Sequence, residues 1–549
     1  MKKSFALVLL SAAALRAVAE TRAWTPGIDH QFWWNPKNWE GGEPPTEDDT
    51  AQIKNTPKAV AVDRAAQYNQ LELAPDAGDA AALRIMPGGE MSNNMGNHYV
   101  GLRGRGSILQ DGGVLSSSRD FSLGHEEGAQ GEYILNDGVF DNTAWGWHTW
   151  IGNAGRGSVK VAGGSFKTHD AHLGTLASGF GRVEINGGEF IAQEGSMTVG
   201  AAGRGEFINN GGDVKIGRNL VIGESNPEAS RFSQLGGSLK VTWDALVGVD
   251  GAGELLLGTD AAVRGLFVGV NPGGRGRVEI ENAALQMDVG EPLCVGKAGH
   301  GGLVLKGAVV RGNGVNNHVI VREVEEGAGV LQGWGEIHGL MRPIVNNGRI
   351  VADGFGEDRE LKFTGYNHRD FGHHYFSNSV VNTSANGWYA QNGGLLSPPA
   401  IWLENVGIPI DYIWGESMGV RQISMVNAMR LRVIDWEGGE GYLNAALFAP
   451  DRKDVPKLPE GKVIGLWRVD FPGVEKIMLA EVEIRFDHVA ANGAVPGLWQ
   501  YNPLEKTWAG LDMDILSGDR LKSAELAVFK DGGLTLGFVA VVATTEHGL

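Results

Sequence analysis

The sequence predicts an all-β protein: a right-handed parallel β-helix of about 24 residues per coil, followed by a C-terminal β-sandwich-like domain. Three observations predict it. A turn glycine recurs at Gly89, Gly113, Gly138, Gly164, Gly188, Gly212 and Gly237, with degenerate copies at Asp260 and Ala283 and a further one at Gly307. The successive intervals are 24, 25, 26, 24, 24, 25, 23, 23 and 24 residues, the signature of stacked identical units. Between these landmarks short stretches alternate apolar and polar residues, and nothing follows the 3.6-residue period of an amphipathic helix. The chain has 84 glycines in 549 residues, many in pairs, which would break helices but suit corners.

The elements follow in order. Residues 1–19 read as a signal peptide, with Lys2 and Lys3 ahead of the apolar run Phe5–Leu15 and a small-residue cleavage site at Ala17-Val18-Ala19. Residues 20–80 read as an N-terminal cap segment. Its "FWWNPKNWEGGEPP" offers Trp33, Trp34 and Trp39 to cover the open end of the core, and Pro44 and Pro45 as poor edge partners. Residues 81–345 are the coils, and "RVEINGGEFIAQEGSMTVGAAGRG" (182–205) is typical. Val183 and Ile185 alternate with Arg182 and Glu184, "NGG" turns the chain, Phe190 and Ile191 start a second strand, and Met197 and Val199 alternate in a third. Stacked ~4.8 Å apart, about ten such coils make a rod on the order of 50 Å long. Residues 350–549, with longer runs such as "KVIGLWRVDF" and "EVEIRFDHVA", read as a separate β-rich domain.

Composition narrows the function classes. The formal charge is −18, and removing residues 1–19, with three basic and no acidic side chains, takes it to −21. That balance argues against nucleic acid or anionic lipid as partner and is compatible with extracellular polysaccharide or glycoprotein. The single cysteine, Cys294, excludes an internal disulfide and reads as a buried thiol. After the signal no segment is long enough to span a membrane as a helix; "LTLGFVAVVA" is ten residues and reads as a buried strand. The expected location is therefore outside the cytoplasm: extracellular, on the outer cell surface, or periplasmic.

The layout resembles bacterial secreted β-helix proteins related to the autotransporter-associated β-strand repeat group. "FWWNPKNWEGGEPPTEDDTAQI" looks like the opening motif of that group, "GRGRVEI" with the paired glycines looks like its coils, and "NGWYAQNGGLLSPP", "SMVNAMRLRV", "LFAPDR" and "LWQYNPLEKTW" look like its terminal module. The chain reaches "TTEHGL" with neither a sorting helix nor an outer-membrane barrel pattern, a departure from that group. The resemblance implies architecture and a cell-surface setting, not an activity.

Chemistry is sought on one outward face of the rod. Each coil can be aligned on the glycine ending its third strand: Gly124, Gly152, Gly174, Gly200, Gly223, Gly248 and Gly269. Four places earlier stand Asp120, His148, Asp170, Ser196, Asn219, Asp244 and Gly265; five places earlier stand Arg119, Trp147, His169, Gly195, Arg218, Trp243 and Arg264. Trp147, His148, His169, Asp170, Arg218, Trp243 and Asp244 are the candidate binding residues for a glycan-binding face. The alternative is a polysaccharide lyase or glycoside hydrolase acting at the Asp120–Asp244 corner, with His148 and Asp170 as its catalytic candidates. The bland alternative is that Asp, Asn and Ser at the start of a strand bond nearby backbone. "GYNHRDFGHHYFSN" holds Tyr366, His368, Asp370, His373 and His374, but in no zinc-ligand spacing. "LDMDILSGD" holds Asp512, Asp514 and Asp519 without the remaining ligands of a calcium loop. No cofactor or metal is expected, and HExxH and phosphate-loop motifs are absent.

Overall fold

A computed structural model of the protein describes residues 19–25, 31–288, 293–312 and, in shorter segments, parts of 319–544. The signal stretch 1–18 and the His-rich cluster at 366–374 lie outside the described residues.

The chain winds into a parallel β-solenoid of about 12 turns over residues 21–362. Each regular coil contributes to three parallel ladders. In one coil these are Arg156–Val161, Ser165–Thr168 and Asp170–Leu173; in the next, Phe180–Ile185, Glu189–Ala192 and Met197–Val199. Pairing is residue for residue, Val159 on Val183, Phe166 on Phe190 and Ala171 on Met197. The third ladder is a single 15-stranded parallel sheet.

Burial alternates along most strands of the coils, as in Arg156–Val161 and Ser165–Thr168, so each ladder sends a column inward. Phe140, Phe166 and Phe190 stack in succession, with ring centroids 4.2 and 5.2 Å apart, and Phe207 lies 4.5 Å from Phe232. These rings exclude water along the axis and turn the strand spacing into packing contacts.

The glycines that mark the repeat, Gly138, Gly164 and Gly188 among them, turn the chain at positive φ between the first and second ladders, and a further glycine column stands at the corner between the third strand and the next coil. Gly124, Gly152 and Gly174 have φ of +63°, +69° and +64°, a region that favours glycine. The corner is also crowded: a Cβ on Gly152 would lie 2.0 Å from the Phe180 carbonyl oxygen. A second glycine column, among them Gly131, Gly157 and Gly181, faces that corner from the next strand. Ala81 and Ser230 depart from glycine in this column, and the Ser230 Oγ accepts the Gly205 N–H at 3.1 Å.

The parallel ladder starts earlier than the glycine pairs do. Thr21–Ala23 pairs with Thr50–Ile53, and that strand pairs with Gln70–Leu73, so residues 20–80 carry the first coils as well as the cap. The glycine rhythm begins only where coils become regular. Trp33 and Trp39 are buried, 4.8 Å apart, with the Trp39 indole N–H donating to the Trp33 carbonyl at 2.6 Å. Trp24 meets Trp39 edge-on. Trp34 departs from the expected cap: its chain neighbour Trp33 points inward, so Trp34 points outward, 39% exposed, stacked on Phe32 with Arg64 over its ring.

Parallel pairing also runs past residue 345, through Trp388–Asn392 and Gly394–Ser397. The edge of Gly394–Ser397 is then taken up by the antiparallel strand Gly441–Phe448, which satisfies an otherwise open edge. Beyond it lie antiparallel sheets. Gly441–Phe448, Lys462–Phe471, Leu534–Thr544, Val495–Asn502 and Thr507–Leu511 pair in that order. A five-stranded sheet contains Ile410–Ile413, Met429–Glu437, Lys476–Arg485, Arg520–Ser523 and Asp514–Ser517. Val482, Ile484 and Leu521 from the latter and Val469, Leu498 and Val539 from the former belong to one continuous buried cluster. "LTLGFVAVVA" is a buried central strand of these sheets. Among the described residues no helix is long and apolar enough to cross a membrane.

Candidate functional site

The coil from Gln130 to Ile151 is the irregular one. Where the next coil passes from second strand to third through His169 alone, it inserts "TAWGW" with a short 3-10 turn, Ala144–Gly146. The local sequence builds this bulge. Asp141 Oδ1 accepts both the N–H and the hydroxyl of Thr143, at 3.0 and 2.7 Å. Beneath it, buried Asn142 donates to the His148 carbonyl and to Thr149 Oγ1, both at 3.1 Å, and Thr149 and Thr168 hydroxyls meet at 2.7 Å. These bonds hold Trp145 at φ +58°, ψ +11°, a conformation that costs a bulky residue of order 1–3 kcal/mol. Its side chain is 86% exposed.

Around the bulge the third ladder gathers the predicted group. His148 pairs with Asp170 in register. Asp170 Oδ2 lies 2.8 Å from His169 Nδ1 and 3.7 Å from His148 Nδ1, and Trp147 stacks against the Arg119 guanidinium at 4.8 Å. Four of the seven candidates, Trp147, His148, His169 and Asp170, are thus neighbours. The other three form a separate group two to three coil steps along, roughly 10–14 Å away at the inter-strand spacing. There Trp243 lies between Arg218 and Arg264, and Arg264 chelates both oxygens of Asp244 at 3.1 and 2.9 Å.

The polar column has a definite structural task. Asp120 accepts the His148 N–H at 3.0 Å, Asp170 the Ser196 N–H at 2.6 Å, Ser196 the Asn219 N–H at 3.4 Å, and Asn219 the Asp244 N–H at 3.1 Å. Each side chain takes the backbone donor of the next coil at the same place, so the column ties coil to coil. Burial pushes the Asp170 carboxyl up, but the Ser196 N–H and the His169 and His148 rings outweigh it and hold the group below the ordinary aspartate value. An acid held ionised on two fixed hydrogen bonds is a poor proton donor.

Residues that the column count passes over complete the site. Trp150 and His172 face outward, two places before the corner glycines, and stack 4.5 Å apart at an interplanar angle of 21°. His172 Nε2 lies 3.2 Å from His148 Nδ1. Burial, and then the neighbouring His148, push the His172 ring down to about 4. The signal for these residues was present in "WGWHTW", three tryptophans in six residues inside the longest repeat interval.

The secondary candidates carry less. Asp512 and Asp514 are exposed, and Asp514 pairs with Lys522 in a β-hairpin, not a ligand loop; Asp519 lies outside the described residues. Cys294 is buried. Among the described residues no group of three or more His, Cys, Asp or Glu converges as a metal site. No known protein family, curated protein or solved structure matches the chain.

Proposed function

We propose that the protein is an exported, adhesin-like scaffold without catalytic activity that binds glycan at the corner formed by Trp145, Trp147, Trp150, His148, His169 and Asp170. The observation that carries the reading is Trp145. A large apolar ring held in solvent at an unfavourable backbone conformation costs stability with no packing in return, which points to a binding role. Indole faces suit the apolar faces of sugar rings, and imidazole and carboxylate at the rim suit hydroxyl groups. Export rests on the charge, apolar run and small-residue site of residues 1–19, and surface display on the resemblance to the autotransporter-associated repeat group. Lyase or hydrolase action is disfavoured by the acids, because Asp120, Asp170 and Asp244 are each committed to backbone or arginine.

A glycan array probed with the protein tests this, followed by titration calorimetry on the best neutral oligosaccharide. Trp145→Ala should weaken binding at least tenfold without a fall in melting temperature. Equal binding by the variant, or no glycan bound, would count against the reading.

A further inference from the structure

A different face of the rod carries a second feature. The first ladder turns one residue per coil outward at the corner, and pairing places Ala80, Arg105, Gln130, Arg156, Phe180 and Arg204 in one column. Arginine therefore recurs at every second coil from 105 to 204. Arg105 and Arg156 stand about 9–10 Å apart, two strand spacings, with Gln130 between them. They border an open trough of about 570 Å³, lined also by Ser107, Ser158 and Glu132.

The pairing state of these arginines is informative. The chain has 65 acidic and 47 basic residues, and neighbouring arginines on this ladder find carboxylates: Arg182 and Arg204 share Glu206, and Arg231 meets Glu254. Among the described residues Arg105 and Arg156 have no carboxylate partner. The Arg156 guanidinium lies over the ring of Phe180, 5.6 Å from its centroid, at the end of the trough. Glu132, the one acid lining the trough, is balanced by Lys160 at 3.5 Å. Two exposed, unpaired guanidinium groups with an amide between them form an acceptor-seeking row, and a guanidinium binds carboxylate or sulfate through two parallel N–H donors.

The geometry points to this trough as a binding site for a linear acidic polysaccharide lying along the rod axis, with one acid group per disaccharide. The arginine spacing matches the length of a disaccharide in an extended β-linked chain. Gln130 would then face the uncharged sugar between two acid groups. The net negative charge of the protein does not forbid this, because screening at physiological salt confines each field to about 8 Å. The denser charge of nucleic acid fits the row less well.

The test is binding of end-labelled hyaluronate oligosaccharides to the full chain at physiological salt, with keratan sulfate, polygalacturonate and single-stranded DNA in parallel. Hyaluronate carries one carboxylate per disaccharide, keratan sulfate carries sulfate, and polygalacturonate has an acid on every sugar. Retention of hyaluronate or keratan sulfate supports the site and tells carboxylate from sulfate. Arg105→Gln/Arg156→Gln should weaken that binding at least tenfold. Arg275→Gln, on the same column but outside the trough, and Trp145→Ala should leave it unchanged. Arginine keeps its charge, so binding should be flat from pH 8 to 5. No retention of either polymer, equal binding by the double variant with an unchanged melting temperature, or equal binding of polygalacturonate or DNA would overturn the proposal. Trp145→Ala separates this result from that at the tryptophan corner.

Discussion

Trp145 and His98 are the two residues whose chemistry departs furthest from what their neighbours require. Glycine would hold the φ of Trp145 without strain, so Trp145→Gly should leave the protein equally or slightly more stable, by up to about 1 kcal/mol, while abolishing neutral-glycan binding at this corner. A melting curve beside a binding isotherm checks both. His98 sits wholly inside the core, bonded to Tyr68 at 2.5 Å and Ser117 at 2.9 Å. The Ser117 hydroxyl donates to the Arg119 carbonyl, so His98 donates from Nδ1 and accepts the Tyr68 hydroxyl at Nε2. Burial holds this ring neutral, pushing it down to about 3 from 6.5. The unfolded chain therefore binds the proton first. Its stabilising effect is complete above pH 6.5 and is lost progressively as pH falls toward 3. His172 acts in the same direction down to about 4. Together they predict a loss of about 2–3 kcal/mol per pH unit between roughly 6 and 4. Denaturant midpoints at pH 7, 6 and 5 measure that slope; a flat profile would contradict the buried neutral histidines.

At the scale of the coil, the corner glycine is the controlling element. Gly152→Ala adds a Cβ against the Phe180 carbonyl at a left-handed φ and should destabilise by several kcal/mol, whereas Gly128→Ala, with nothing within 4 Å of its Cβ, should cost only its φ strain, roughly 1–2 kcal/mol. Melting temperatures of the two variants make the comparison. Coils were legible in the sequence because this constraint repeats: the same clash forces the same glycine every turn. The candidate corner was half legible. Position counting from the glycines brought Trp147, His148, His169 and Asp170 together, because register is residue for residue through those coils. It missed Trp145, which lies in an insertion where counting has no reference, and Trp150 and His172, whose outward direction depends on which strand residues alternate inward. It also joined Arg218, Trp243 and Asp244 to the same face, although the Gly195–Ser196 coil separates the two groups.

The solenoid that makes up most of the molecule is a one-dimensional stack, so its stability is a sum of coil and interface terms and not a single cooperative quantity. The first coils depend on the Trp24–Trp33–Trp39 cluster. Trp39→Ala removes its centre and should cost about 3–5 kcal/mol locally. Hydrogen exchange should show protection lost from residues 50–100 first and retained near Phe207 and Phe232. The first coils were read in the sequence as a cap because their glycines do not yet repeat. The terminal sheets were read as separate because long aromatic strands replace short ones, although Gly394–Ser397 hands the ladder on directly to Gly441–Phe448. On the proposed function, the rod displays binding surfaces and performs no chemistry. The most direct measurement incubates the purified chain with the glycans it retains and assays for new reducing or unsaturated ends. Binding without chemistry predicts retention of neutral glycan that is lost in Trp145→Ala, with no new ends formed from any glycan retained. Release of ends that falls away in Asp170→Ala or His148→Ala would contradict it.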